Sequence, residues 1–192
     1  MHEWDAHYAT LTQPEPYGDP ATYWLAAEWV NGCSPIEDWG CGKGWLRSLV
    51  AKDAYIGVDG SSSPFADRIA DLTTYTSQCE GLVLRHVLEH SYDWQKILDN
   101  AVASFTKRLC IVLFTPFVDQ TTLLRTEPDY GEVPVFAFKP DDLLERIPSP
   151  VVLNFVGDET VIMSDRREND ASLPAREVAP LRSPHSSAEI GG

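Results

Sequence analysis

The segment Ile36-Glu37-Asp38-Trp39-Gly40-Cys41-Gly42-Lys43-Gly44 sets Gly40, Gly42 and Gly44 at the junction between the first expected strand and the first expected helix. Glycine at such a junction lets main chain approach a ligand closely, because a side chain would occupy the same space. The spacing is G-x-G-x-G, and Trp45 stands where a dinucleotide loop needs its third glycine, which disfavours a nicotinamide or flavin pyrophosphate. Asp59 lies 19 residues beyond Gly40, at the end of Ile56-Gly57-Val58-Asp59-Gly60. A carboxylate at that distance can accept both hydroxyl protons of a ribose; its structural alternative is to cap Ser61-Ser62-Ser63-Pro64. Asp71 then suits an adenine amino group or, with Asp67, a surface turn. Further on, His86 and His90 flank Glu89. A histidine near its ordinary pKa of about 6.5 can take a proton at neutral pH, so both are candidate general bases.

These groups need a scaffold, and the pattern from Ile36 to Arg166 supplies one. Short apolar or β-branched stretches at Ile36 to Trp39, Tyr55 to Val58, Arg68 to Leu72, Leu82 to Val87 and Leu109 to Thr115 alternate with helix-like segments. That alternation predicts an α/β fold: a Rossmann-like, doubly wound, mostly parallel sheet in a three-layer sandwich. Helices are expected from Gly44 to Lys52, with Leu46, Leu49 and Val50 on one face, from Asp93 to Phe105, and from Pro140 to Ile147. Ser91 or Asp93 can cap the second of these, and Pro140 with two aspartates favours the start of the third. Val151 to Val156 and Thr160 to Ser164, joined by Gly157-Asp158-Glu159, read as a C-terminal antiparallel hairpin. Residues 1–32 form an aromatic-rich cap segment with a helix from Pro20 to Val30; Trp24 and Trp29 are expected to pack in the core, while Trp4 and Tyr8 are left open. Residues 33–166 are the main domain, and 167–192, poor in large apolar residues, are expected to be a flexible tail.

Composition narrows the partners. The 192 residues carry 15 Lys and Arg against 29 Asp and Glu, a net charge of −14, which is poorly suited to phosphate backbones and argues against direct nucleic-acid binding. Hydrophobic residues at 43% exclude wholesale disorder. The longest apolar run, Leu109 to Phe114, is six residues, far short of the roughly 20 that span a bilayer, and no membrane association is expected. Met1-His2-Glu3-Trp4-Asp5 lacks the basic and apolar regions of a secretory signal, and the four cysteines Cys33, Cys41, Cys79 and Cys110 form no C-x-x-C. Reduced thiols in a cytoplasmic protein are the expectation.

Most of residues 33–166 resembles the class I S-adenosylmethionine-dependent methyltransferases, in their small-molecule branch (methyltransferase type 11/23-like). Glu37-Asp38-Trp39-Gly40-Cys41-Gly42-Lys43-Gly44 is similar to the family's acidic glycine-rich cofactor loop, and Gly57-Val58-Asp59-Gly60-Ser61 to its ribose-binding strand end. Ala70-Asp71-Leu72 resembles the adenine-contacting turn, Leu82-Val83-Leu84-Arg85-His86-Val87-Leu88-Glu89-His90 the fourth-strand block, and Phe136-Ala137-Phe138-Lys139-Pro140-Asp141-Asp142-Leu143-Leu144 the segment before the late helix. Two places depart from the family. Glu80-Gly81 replaces the common aromatic-Asp pair, and Thr115-Pro116-Phe117 replaces the Asn/Asp-Pro-Pro-aromatic motif of DNA amino-methylating members, which with the acidic charge argues against a base-modifying enzyme.

The resemblance implies S-adenosylmethionine as cofactor, held by Asp38, Gly40, Cys41, Gly42, Gly44, Asp59, Gly60, Asp71, Leu72 and Arg85, and methyl transfer to oxygen or nitrogen of a small-molecule acceptor. His86, Glu89 and His90 are the candidate catalytic group, although in this branch a Glu-His pair often fixes the loop into the next helix. H-x-x-E-H is also similar to the E-x-x-E-H magnesium site of certain O-methyltransferases, but histidine is softer than magnesium prefers, and no metal is assigned. Two alternatives stand beside this reading: a metal-assisted RNA 2′-O-methyltransferase, disfavoured by the charge, and a non-catalytic cofactor-binding partner subunit. The acceptor should be chosen by residues 1–20 and the long connection Phe117 to Val135, which holds Arg125, Glu127, Asp129 and Tyr130. The oligomeric state is not legible.

Overall fold

The computed structural model describes residues 4–128, 131–156 and 159–166. Seven strands form one sheet: β1 (Ile36–Trp39), β2 (Tyr55–Asp59), β3 (Arg68–Ile69), β4 (Cys79–Arg85), β5 (Phe105–Leu113), β8 (Pro150–Val156) and β9 (Glu159–Asp165). Their order is β3-β2-β1-β4-β5-β9-β8. The first five run parallel, β9 pairs antiparallel with β5, and β8 pairs antiparallel with β9. β1 is buried along its whole length, and Leu82–Leu84 of β4 and Leu109–Leu113 of β5 are apolar without alternation because both of their faces are covered. Leu82, Leu84, Leu109, Ile111 and Leu113 point to one face, under the helices α3 (Trp94–Ser104) and α4 (Pro140–Leu144). Val83, Cys110 and Val112 point to the other, under α2 (Ala21–Trp29). This is the expected three-layer arrangement. The chain reverses its winding between β1 and β4, which opens a crevice at the carboxyl ends of those strands.

Several local expectations are corrected. The helix expected over Gly44 to Lys52 is a single 3-10 turn, Trp45–Ser48, with Leu46 fully buried beneath it. A crossover between adjacent parallel strands need only run back the length of a four-residue strand, roughly 13 Å, and a 3-10 turn with its flanks achieves that. The expected third strand shrinks to Arg68–Ile69 at the exposed sheet edge, because Asp71 starts a turn by accepting from the Thr73 amide at 2.9 Å. The fourth strand stops at Arg85, since His86 has φ 57 and cannot continue the ladder. The fifth begins at Phe105, not Leu109; an apolar residue on the helix face served equally well as the first residue of a buried strand. Trp24 is 59% exposed rather than core, because α2 turns Thr22, Ala26 and Ala27 toward the sheet. Trp29 is half-buried and donates from Nε1 to the Leu109 carbonyl at 2.9 Å.

Two further pieces border the crevice or the strands that end in it. The long connection after β5 contains an antiparallel ribbon, β6 (Thr122–Glu127) with β7 (Val133–Ala137). Near the amino end, α1 (Asp5–Tyr8) is a single turn. The expected tail, 167–192, lies outside the described residues, as do Asp129 and Tyr130.

Candidate functional site

The crevice at the strand ends is a cleft of about 660 Å³, within the usual range for a small-molecule or cofactor site. Its floor is the glycine loop. Gly40 has φ +71, and a Cβ there would sit 2.5 Å from Val87 Cγ2; Gly42 has φ +47, and its Cβ would be 3.0 Å from the Tyr8 hydroxyl. Both positions favour glycine for their left-handed backbone and Gly40 requires it for space, while at Gly42 the Tyr8 hydroxyl would have to give by a few tenths of an ångström. Gly44 is outside the cleft and packs against Phe65. Cys41 lines the cleft as a buried thiol pushed far above its ordinary range by burial and by the charges of Asp38 and Asp59.

Asp59 and Gly60 line the cleft beside this loop. The Asp59 carboxylate accepts from the Gly42 amide at 2.8 Å through Oδ2 and from the Ser61 amide at 2.8 Å through Oδ1, so both oxygens are fixed against the loop. Asp38 stands behind the loop rather than in the cleft. It is fully buried, accepts from the Tyr55 hydroxyl at 2.8 Å, and burial pushes its carboxyl up to about 7, with the Tyr55 bond opposing. Asp71 and Leu72 line the far end; Asp71 also takes the Thr73 hydroxyl at 2.7 Å, and the Leu72 carbonyl accepts from Asn100 Nδ2 at 2.9 Å, which pins the turn to α3.

At the other end, over β4 and β5, lie Arg85, His86 and His90. Arg85 Nη2 donates to Glu159 Oε1 at 2.7 Å, Arg85 Nε donates to the Thr22 hydroxyl at 3.0 Å, and that hydroxyl donates to Glu159 Oε2 at 2.5 Å. The Tyr23 ring covers the guanidinium at 4.1 Å. His86 Nε2 lies 2.7 Å from Glu159 Oε1, out of line for a linear hydrogen bond, and Nδ1 lies 3.3 Å from Arg85 Nη1. Burial holds His86 below the ordinary imidazole range, assisted by Arg85 and opposed by Glu159. For Glu159, burial alone would raise the carboxyl, but His86, Thr22 and Arg85 together hold it low.

His90 is placed differently. Its Nδ1 is 3.1 Å from the Pro134 carbonyl oxygen on β7; a carbonyl only accepts, so Nδ1 carries the proton and Nε2 the lone pair. Burial lowers its pKa, with the Pro134 bond opposing. Phe114 packs at 5.2 Å and Trp4 meets the ring edge-on at 5.8 Å. Glu89 is fully buried and outside the cleft lining; Oε1 accepts from the Phe114 amide at 2.7 Å, and burial pushes the carboxyl up to about 8. It fastens the turn after β4 to the end of β5. His86, Glu89 and His90 thus look to three different partners. Among the described residues no group of three or more His, Cys, Asp or Glu is arranged to hold a metal ion.

The amino-terminal segment closes one side. Asp5 Oδ1 accepts from the Ser62 amide at 2.7 Å, which seats α1 on the loop after β2. Tyr8, Tyr17, Tyr23 and Trp4 all face the cleft. Burial and the neighbouring Asp59 charge push the Tyr8 phenol far above its ordinary range. Sequence reasoning missed Tyr23, Thr22 and Glu159. An acid at a hairpin start carries no spacing signal that would tie it to an arginine 74 residues earlier.

No protein-family model and no curated protein sequence matches the chain. Solved structures do. A 1,6-didemethyltoxoflavin-N1-methyltransferase from Burkholderia thailandensis, with its named substrate and S-adenosylhomocysteine bound, is similar at TM-score 0.62 and 14% identity, over 77% of this chain and 79% of that one. Magnesium protoporphyrin IX methyltransferase from Synechocystis with bound S-adenosylhomocysteine is similar at TM-score 0.54 and 11% identity, over 85% and 93%. An S-adenosylmethionine-dependent methyltransferase from Mesorhizobium loti is similar at TM-score 0.56 and 11% identity, over 76% and 96%. Strand order, the cleft at the switch point and these likenesses agree: the chain has the fold of the class I S-adenosylmethionine-dependent methyltransferases.

Proposed function

We propose that the protein transfers a methyl group from S-adenosylmethionine to an oxygen or nitrogen of a small-molecule acceptor. The observation that carries this is the pairing of the Asp59 carboxylate with the Gly42 amide at 2.8 Å on the floor of the cleft, where an added Cβ at Gly40 or Gly42 would intrude. The residues fit the cofactor: bare main chain for its amino-acid end, an acid for the ribose hydroxyls, and Asp71 with Leu72 for the adenine. S-adenosylhomocysteine bound in the 1,6-didemethyltoxoflavin and magnesium protoporphyrin IX methyltransferases supports the same ligand here. When bound beside the glycine loop and Asp59, the cofactor would supply an electrophilic methyl group to the acceptor lone pair and retain the sulfur.

The chain's own residues orient and exclude water, and alignment is worth up to about 7 to 11 kcal/mol. His90 receives the acceptor proton at Nε2, the nitrogen that Pro134 leaves as an acceptor. His86 positions this end of the cleft, because its two nitrogens already face Glu159 and Arg85. Glu89 acts through Phe114, whose ring rests on both histidines. The buried thiols support a reducing, cytoplasmic setting, and no helix among the described residues is long and apolar enough to cross a membrane.

Calorimetric titration with S-adenosylhomocysteine tests the reading. Binding should be present in the parent and lost or weakened at least tenfold in Asp59→Ala; equal binding by both would refute it. Labelled methyl appearing in a metabolite extract separates an enzyme from a binding subunit.

A further inference from the structure

The geometry points to a planar aromatic acceptor, a phenol or a heteroaromatic N–H, bound uncharged against the ring wall over β4 and β5. This rests on the methyltransferase reading and narrows its substrate. Six rings, those of Trp4, Tyr8, Tyr17, Tyr23, His86 and His90, line the cleft. They are not spread evenly. Ile69, Leu72 and Ile97 line the end toward β2 and β3 with aliphatic surface, whereas the rings gather around the glycine loop and the end of β4. Trp4 stacks on Tyr8 at 6.0 Å and meets His90 edge-on, and Tyr17 meets His86 edge-on at 6.3 Å. Such walls favour a flat π-system, which gains offset or edge contacts on several sides.

Charge removes the main competitor. The lysine and arginine that line the cleft are already engaged: Lys43 Nζ is 2.5 Å from Glu15 Oε1 and Arg85 Nη2 is 2.7 Å from Glu159 Oε1. A carboxylate or phosphate acceptor would find both cations neutralised, with Asp59 and Asp71 adding negative charge nearby. A sugar brings several hydroxyls that each need a partner, and aromatic faces give them none. The base agrees. Burial holds His90 below its ordinary range, and a phenol or an acidic heteroaromatic N–H lies closer in acid strength to such a base than an aliphatic alcohol does, so its proton is the easier one to take. Its proton relay is simple: the acceptor O–H or N–H bond breaks and the proton ends on Nε2.

The test is fluorescence titration of the full chain with hydroxycoumarin, a planar phenol, and competition by methyl glucoside and by benzoate, each with and without saturating S-adenosylhomocysteine. We expect hydroxycoumarin to bind, neither competitor to displace it, and affinity to fall at least about fivefold in Trp4→Ala and in Tyr17→Ala. Trp24→Ala, an exposed ring on α2, should leave affinity unchanged. Hydroxycoumarin bound equally by the parent and both cleft variants, not bound at all, or displaced by methyl glucoside or benzoate would overturn the proposal. Failure of S-adenosylhomocysteine to bind while hydroxycoumarin binding still depends on Trp4 would remove the methyl-transfer reading and leave the aromatic site standing.

Discussion

His90 and His86 share a residue type, a cleft and a lowered pKa, yet their hydrogen-bond partners divide the work. Pro134 leaves His90 one nitrogen able to accept a proton, while Arg85 and Glu159 occupy both sides of His86. His90→Ala should therefore cut methyl transfer by about 10² to 10⁴-fold, as measured by S-adenosylhomocysteine release, with cofactor affinity in calorimetry unchanged. The pH profile follows from the direction of the His90 shift. The base is neutral throughout the physiological range, so the rate should stay flat from about pH 8 down to the ordinary imidazole pKa near 6.5 and fall only below it. An inflection above that value would contradict the assignment. Glu89 gives a stability prediction of opposite sign. A buried carboxyl raised to about 8 binds its proton in the folded state and loses it in the unfolded state, so its contribution is full below the ordinary glutamate pKa and is lost as pH rises toward 8. Glu89→Gln should flatten this decline between about pH 4.5 and 8, an effect on the order of a few kcal/mol, seen in urea unfolding at several pH values.

The glycine loop is the element on which sequence and structure agree most closely. Gly40, Gly42 and Asp59 were legible because their signal is local: a strand, a turn requiring left-handed backbone, and an acid one crossover later. The crossover itself was not legible. Leu46, Leu49 and Val50 have helical spacing, but the same three residues cover the sheet from a 3-10 turn and its flank, and periodicity cannot separate these. The ring wall was legible only in outline, as an aromatic-rich cap segment. Trp4, Tyr8 and Tyr17 are read from sequence as scattered aromatics, and only the seating of α1 through Asp5 and Ser62 brings them to the strand ends. The close approach at Gly40 is testable. Gly40→Ala places a methyl 2.5 Å from Val87 Cγ2 and should destabilise by about 1 to 3 kcal/mol in thermal unfolding. Adding Val87→Ala should recover part of that loss; the φ of +71 keeps the recovery incomplete.

At the scale of the molecule, Glu159 joins parts that are far apart in sequence: Thr22 on α2, Arg85 and His86 at the end of β4, and its own strand β9. The carboxylate closes the sheet at the cleft's edge. Its charge is matched by a guanidinium that is itself buried, so Glu159→Ala should cost about 3 to 5 kcal/mol in urea unfolding by leaving Arg85 uncompensated. Arg85→Met combined with Glu159→Met should cost markedly less than the single change. Retention of parent stability in Glu159→Ala would show that water already screens the pair.

The one-turn crossover between β1 and β2 shares the sheet's second face with α2, where Ala26, Ala27 and the adjoining Val30 bury with Val83, Cys110 and Val112. Residues 4–31 are thus two things joined end to end, an awning seated on the loop after β2 and a structural wall. A protease cut near Thr12 would sever only the awning, sparing the folded body while stripping Trp4 and Tyr8 from the mouth. A cut past Asn31 would free the wall as well, and where Ala26, Ala27 and Val30 had packed, water would reach the sheet.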